Sequence, residues 1–321
     1  MQYMLSRKKG VIFYARVIIS LLIVVYLAKL IDWDRLNTVI PTLRYYYGWQ
    51  AFVLIIISLL MMSLRWSFLL RKLGIYQTVI NSWRYYMISV FYSMVLPGVI
   101  GGDVVRVALS IKEHVTKKTI IALSAVVERV CGLTIILLLA LLASSFITGI
   151  SYASTNVHYI ILCIVSFVFC SAALFYFFIK FPPRKILICS DNDGFIIRKV
   201  SDIIKIMRQI SIAQICVILC FSFLAHFADI CGSYYLAKSI SINQPFLFFL
   251  LVMPLVYIMT ILPISLGGLG VREGVLTFFL VKVGVLASDA VLLSFLIYMT
   301  RMFVALLGGL IEVSSKLSSR R

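Results

Sequence analysis

Acidic side chains are scarce: 12 Asp and Glu stand against 30 Lys and Arg in 321 residues, leaving a formal net charge of +18. A GxxxxGK[ST] loop is missing, so the chain has no phosphate cradle of the kind an autonomous ATP-driven pump uses. Cysteine occurs without paired spacing. Cys131, Cys163, Cys170, Cys189, Cys216, Cys220 and Cys231 lie mostly in apolar runs, which excludes a disulfide framework and a zinc site and leaves them as packing residues. No small-residue cleavage site follows the first apolar run, which leads into LAKLIDWDR, so MQYMLSRKKG precedes an uncleaved span rather than closing a signal peptide. The pattern calls for no cofactor, no metal and no nucleic-acid partner.

What is abundant is apolar length. Hydrophobic residues make up 62% of the chain, and apolar runs near twenty residues recur, the length that crosses ~30 Å of hydrocarbon. They fall at 12–31, 49–70, 83–96, 119–142, 158–180, 211–236, 246–262 and 288–311. Lipid offers backbone groups no partner, and these runs are too long for barrel strands, so the fold class is an all-α polytopic membrane protein. Between the first two spans, WDRLNTVIPTLRYYY mixes charge with aromatics. An interfacial segment and a solvated loop both fit it.

Basic clusters set the orientation. Arg7, Lys8 and Lys9 precede the first span; Arg65, Arg71, Lys72 and Arg84 go with the end of the second; Lys112, Lys117 and Lys118 precede the 119–142 span; Lys180 to Arg208 adds seven more. Each cluster belongs in the cytosol. Arg84 and Lys112 then share a side, and the fourteen apolar residues 83–96 are too few to cross, so a re-entrant hairpin over 83–110 is expected.

That hairpin carries LPGVIGGDVVR from Leu96, and LPISLGGLGVRE from Leu262 matches it in Leu, Pro, Gly-Gly and Val-Arg, 166 residues downstream. The chain reads as two repeats. The first, 1–150, holds spans 12–31 and 49–70, the hairpin 83–110 and span 119–142; the second, 157–321, holds spans 158–180 and 211–236, a hairpin 246–283 and span 288–311, with a cytosolic linker 181–210. Three full crossings per repeat invert the second copy, giving about six full spans plus two broken re-entrant hairpins. The 143–157 connection has no Lys or Arg, and Lys316, Arg320 and Arg321 return the C-terminus to the cytosol. Both termini are expected there.

Inverted repeats with broken helices are the architecture of secondary transporters, whose half-helix ends bind a polar substrate near the midplane. Pro97, Gly101, Gly102 and Asp103 in the first motif, and Pro263, Gly267, Gly268 and Gly270 in the second, would open each helix so that its free N–H groups favour an anion. Arg106 and Arg272 stand at matching positions, each with a guanidinium fork suited to phosphate. A tight turn with a snorkelling arginine is the plainer alternative. Glu128 and Arg129 interrupt AVVERVCGL, Asp229 lies in FLAHFADICG, and Arg301 sits inside the last span. With Asp103, Arg106, Arg272 and Glu273 they make a neutral set of four acids and four arginines, which must face one another or a wet cavity. Ser222, His226, Asp229 and Ser233 share one helical face, where His226 beside Asp229 fits either proton coupling, together with Arg301, or an interhelical hydrogen bond.

LPGVIGGDVVR, VVERVCGL and LPISLGGLGVREG resemble the signature segments of the lysylphosphatidylglycerol synthase transmembrane family, flippase-like membrane proteins, over nearly the whole chain. The resemblance implies movement of a lipid between leaflets of a cell (inner) membrane. It points to Pro97, Gly101, Gly102, Asp103, Arg106, Glu128, Arg129, Pro263, Gly267, Gly268, Gly270, Arg272 and Glu273 as substrate-binding residues, with none catalytic. Full-length synthases continue into a soluble transferase domain, whereas here the chain stops about ten residues after the last span, so a synthase activity is not expected. The expected function is translocation of a phospholipid or polyprenyl-linked lipid, with a separate lipid-modifying enzyme and a homo-oligomer as partners. A membrane-embedded transferase or accessory subunit, and a secondary transporter of a small polar solute, remain the alternatives.

Overall fold

A computed structural model describes residues 43–95, 100–147, 210–261 and 270–318. The spans expected over 12–31 and 158–180, the linker up to residue 209, and Pro97, Pro263, Gly267 and Gly268 lie outside the described residues. Among the described residues all regular structure is helical, a short 3-10 helix at Val115–Lys117 and eight α-helices: α1 Tyr45–Lys72, α2 Val79–Val95, α3 Ile100–Glu113, α4 Lys118–Ile147, α5 Ile212–Ser239, α6 Phe246–Ile261, α7 Val271–Lys282 and α8 Ala287–Ser318. Four stretches, Tyr45–Lys72, Val115–Ser144, Ile212–Ser239 and Ala287–Ser314, are long and apolar enough to cross a membrane. At 1.5 Å per residue a 28-residue helix reaches about 42 Å, more than the hydrocarbon layer needs. Helices α2, α3, α6 and α7 have 17, 14, 16 and 12 residues, each short of a crossing. The protein is a polytopic helical membrane protein.

Local chemistry starts and stops these helices. Ser211 caps α5 through a capping box: its hydroxyl accepts from the Gln214 N–H, and the Gln214 side chain accepts from the Ser211 N–H. Arg71 and Lys72 close α1, where a cation suits the carbonyl end of the helix. Gly270 enters α7 at φ 85°, a left-handed conformation that favours glycine. Its N–H donates to Glu273 Oε2 at 2.6 Å.

Packing partners exchange between the two halves. The longest contact joins α1 to α5; α2 packs on α8 as α6 packs on α4, and α2 meets α3, and α3 meets α4, as α6 meets α7 and α7 meets α8. Missing side chains allow the closest approaches around hairpin one. A Cβ on Gly102 would run into the Ser89 carbonyl of α2, and one on Gly308 would run into the Met87 backbone. Apolar side chains such as Val53, Ile57, Phe303, Leu306 and Leu310 stay exposed on the outer faces of α1 and α8, as a lipid-facing surface requires.

Candidate functional site

The centre of the assembly is polar because an acid sits where five helices meet. Glu128 on α4 is 1% exposed, a burial that several-kcal/mol desolvation makes untenable without cations around it. Its Oε1 accepts from Arg65 Nε at 3.0 Å and Nη2 at 2.8 Å, and from the Tyr86 hydroxyl. Its Oε2 faces Arg106 Nη1 at 2.5 Å. Arg65 Nη1 donates to Ser222 Oγ at 2.8 Å, which ties α5 into the same network. The Arg106 guanidinium lies 4.8 Å from the Trp66 ring and 4.5 Å from the Tyr86 ring, so two aromatic faces share its charge. Trp66 is held in turn by a bond from its indole N–H to Ser124 at 3.1 Å.

Two further pairs face the open side of this cluster. Asp103 accepts from Arg106 Nε at 3.0 Å and from Arg129 Nε at 2.6 Å. Asp229 on α5 accepts from Arg301 Nη2 on α8 at 2.7 Å. The side chains of Arg129 and Arg301 keep 35% and 26% of their surface exposed, against 2% for Arg106. The exposed parts look into a cavity of about 290 Å³, whose wall takes Arg65, Tyr86, Asp103, Arg106, Glu128 and Arg129 from the first half and His226, Asp229 and Arg301 from the second. Arg65 with Glu128 joins α1 to α4 just as Asp229 with Arg301 joins α5 to α8, with the charges reversed. Four arginines against three carboxylates leave the cavity wall one net positive charge.

The arrangement departs from the sequence reading in four places. Arg65, counted there with the cytosolic cluster, is 5% exposed inside α1 and holds Glu128. The charged set at the cavity is therefore not neutral. Arg272 and Glu273 do not line the cavity: they pair with each other at 2.6 Å at the start of α7, and Arg272 lies 5.2 Å from the Tyr298 ring. Arg106 thus lines the cavity and Arg272 does not. Gly270 gives its N–H to Glu273, and Gly102 serves the contact between α2 and α3, with Gly101 beside it in the first turn of α3. Asp229 pairs with Arg301 across the helix interface rather than with His226 on its own helix. Sequence reasoning also missed Trp66 and Tyr86, although both flank the arginines in aromatic-rich segments.

A family model described as Lysylphosphatidylglycerol synthase TM region matches residues 13–309. The chain belongs to that family. Comparison with curated proteins and with solved structures yields no match. Membership in the lysylphosphatidylglycerol synthase TM region family places this multi-pass membrane protein among those of lipid metabolism or translocation. Within the family region, the cavity described above gathers charged residues from both halves of the chain.

Proposed function

We propose that the protein moves a phosphate-bearing lipid between the leaflets of a cell membrane without chemistry of its own. One observation carries the reading: a cavity among membrane-spanning helices holds one cation in excess, and its two most exposed arginines, Arg129 and Arg301, come from opposite halves. A phosphate entering between them gains forked, charge-assisted hydrogen bonds in an environment of low dielectric. Its acyl tails stay in lipid while the headgroup occupies the cavity. Asp103 and Asp229 hold the two arginines when the site is empty, so the anion replaces interactions already made and leaves again at little cost.

The exchanged packing pattern supports two repeats related by a pseudo-twofold axis; the distribution of basic residues in the sequence is the ground for reading them as inverted, with both termini cytosolic. Rocking of one half against the other would open the cavity to each leaflet in turn. The test uses purified protein in phosphatidylcholine vesicles carrying trace fluorescent lipids, with leaflet exchange read by quenching from outside. Phosphatidylglycerol should exchange faster than in empty vesicles, and a fluorescent diacylglycerol should not respond. No acceleration for any phospholipid, or conversion of the lipid to a new product, overturns the reading.

A further inference from the structure

Buried serine hydroxyls in helices commonly donate to a carbonyl one turn back, as Ser63, Ser124, Ser222 and Ser239 do. Ser58 and Ser89 make no such bond, nor any other hydrogen bond among the described residues, although they are only 2% and 6% exposed. The imidazole of His226, 9% exposed, has no hydrogen-bond partner there either. All three residues line the cavity that holds Arg129 and Arg301. Buried polar groups in folded proteins are nearly always hydrogen-bonded, so three unspent ones around one cavity mark a place for the polar atoms of a ligand.

They come from three helices, each on a face that already carries part of the charged network. Ser58 stands seven residues before Arg65 on α1, Ser89 three after Tyr86 on α2, and His226 four after Ser222 and three before Asp229 on α5. A Cβ on Gly102 would come within 2.9 Å of the Ser89 hydroxyl, which puts that group at the first turn of α3, beside Asp103. A Cβ on Gly132 would come within 3.3 Å of His226 Nε2, so the bare backbone of α4 leaves room at that edge of the ring.

The chemistry of these groups points to one class of partner. A serine hydroxyl both donates and accepts, and an imidazole with one ring proton donates at one nitrogen and accepts at the other. Hydroxyls match them, because they also do both. Charge leads to the same class. Four arginines against three carboxylates leave one positive charge, and one phosphodiester cancels it. An ammonium on the same headgroup would restore the excess, with Asp103 still held by Arg106, and Glu128 by Arg65 and Arg106. At about 290 Å³ the cavity is at the bottom of the usual range for ligand pockets, about 300–1,000 Å³, which suits a small headgroup.

We propose that the cavity selects a lipid phosphodiester whose headgroup ends in uncharged hydroxyls, glycerol or another small polyol, and that His226, Ser58 and Ser89 set this choice. Arg129 and Arg301 take the phosphate, and the three neutral groups exchange hydrogen bonds with the hydroxyls beyond it. A headgroup without hydroxyls leaves them unpaired, which is how a site built for hydroxyls discriminates. The choice rests on the cavity being a lipid-phosphate site, as proposed above, and needs no movement of lipid across the bilayer.

The test displaces fluorescent phosphatidylglycerol from the purified protein in detergent with unlabelled competitors. Phosphatidylethanol carries the same single charge on its diester and no headgroup hydroxyl; phosphatidylethanolamine and lysylphosphatidylglycerol add ammonium groups. Phosphatidylglycerol should displace the probe at a concentration at least about tenfold below that of each. The Ser58→Ala/Ser89→Ala/His226→Phe variant should bring its advantage over phosphatidylethanol close to one, and His226→Gln, which keeps a donor and an acceptor, should retain most of it. The ratio is taken within each protein, so a change in overall affinity cancels, and the wild-type ratio decides where the triple variant does not fold. Equal displacement by phosphatidylglycerol and phosphatidylethanol in the wild type, an unchanged ratio in the folded triple variant, or tighter binding of lysylphosphatidylglycerol overturns the choice. Displacement by soluble glycerol 3-phosphate as strong as by the lipid would assign the site to a water-soluble polyol phosphate and overturn the lipid as its source. Selective binding with no leaflet exchange would refute the translocation reading alone, and exchange with equal affinities would refute the hydroxyl choice alone.

Discussion

Replacing Arg65 by Met removes three hydrogen bonds at once: two to Glu128 Oε1, at 3.0 and 2.8 Å, and one to Ser222 at 2.8 Å. Breaking one side of a buried ion pair costs about 3–5 kcal/mol, because the other charge is left behind. Glu128 keeps Arg106 at 2.5 Å and the Tyr86 hydroxyl, which puts the expected loss at the lower end, about 3 kcal/mol. In detergent that loss should lower the melting temperature by roughly 5–10 °C. Arg71, six residues further along the same helix and exposed, provides the internal control; Arg71→Met should change stability by less than about 0.5 kcal/mol. The same change at Arg65 takes the cavity wall from one net positive charge to none, so binding of fluorescent phosphatidylglycerol should weaken even where the fold survives at low temperature. Equal melting temperatures for the two variants would refute the network around Glu128 and return Arg65 to the cytosolic surface cluster.

Further changes separate packing from binding. Gly308→Ala places a methyl against the Met87 backbone and should cost about 1–3 kcal/mol by overpacking, read as a lower melting temperature and looser contact between α2 and α8 in cross-linking. Trp66→Phe keeps an aromatic face over Arg106 but drops the bond to Ser124, so a loss of about 1 kcal/mol is expected by thermal melting, while Trp66→Ala should cost more. Glu273→Gln weakens the Arg272 pair and the cap on Gly270, both away from the cavity, so it should lower stability and leave phosphatidylglycerol affinity within about twofold in equilibrium binding.

Much of the architecture is legible in the chain because bilayer thickness imposes a length on apolar runs that few other contexts demand. The runs at 49–70, 119–142 and 288–311 each fall within a long helix, the run at 211–236 fills one from its N-cap at Ser211, and the segment 83–110 divides into α2 and α3, on either side of residues 96–99. The buried acids were legible for the same reason: Glu128 and Asp229 interrupt stretches where a lone charge is costly. Arg65 interrupts LLMMSLRWSFLL in the same way, yet a basic residue near the end of a span also satisfies the orientation rule by reaching to the headgroups, and sequence does not separate the two. The matched motifs hid a difference as well. Asp103 stands three residues before Arg106 and Glu128 arrives from α4, whereas Glu273 sits directly beside Arg272 and satisfies it locally. Similar residues in the two motifs therefore make one cavity wall and one self-contained pair.

The central claim is that Arg129 and Arg301 hold a lipid phosphate between the two halves of the chain. Leaflet exchange of fluorescent phosphatidylglycerol in vesicles holding the wild type, Arg129→Gln/Arg301→Gln or Arg272→Gln tests it most directly. The account gives exchange for the wild type, loss of at least about tenfold for the double variant, and retained exchange for Arg272→Gln wherever that variant folds. Loss with Arg272→Gln in a folded protein, beside unimpaired exchange by Arg129→Gln/Arg301→Gln, would contradict it.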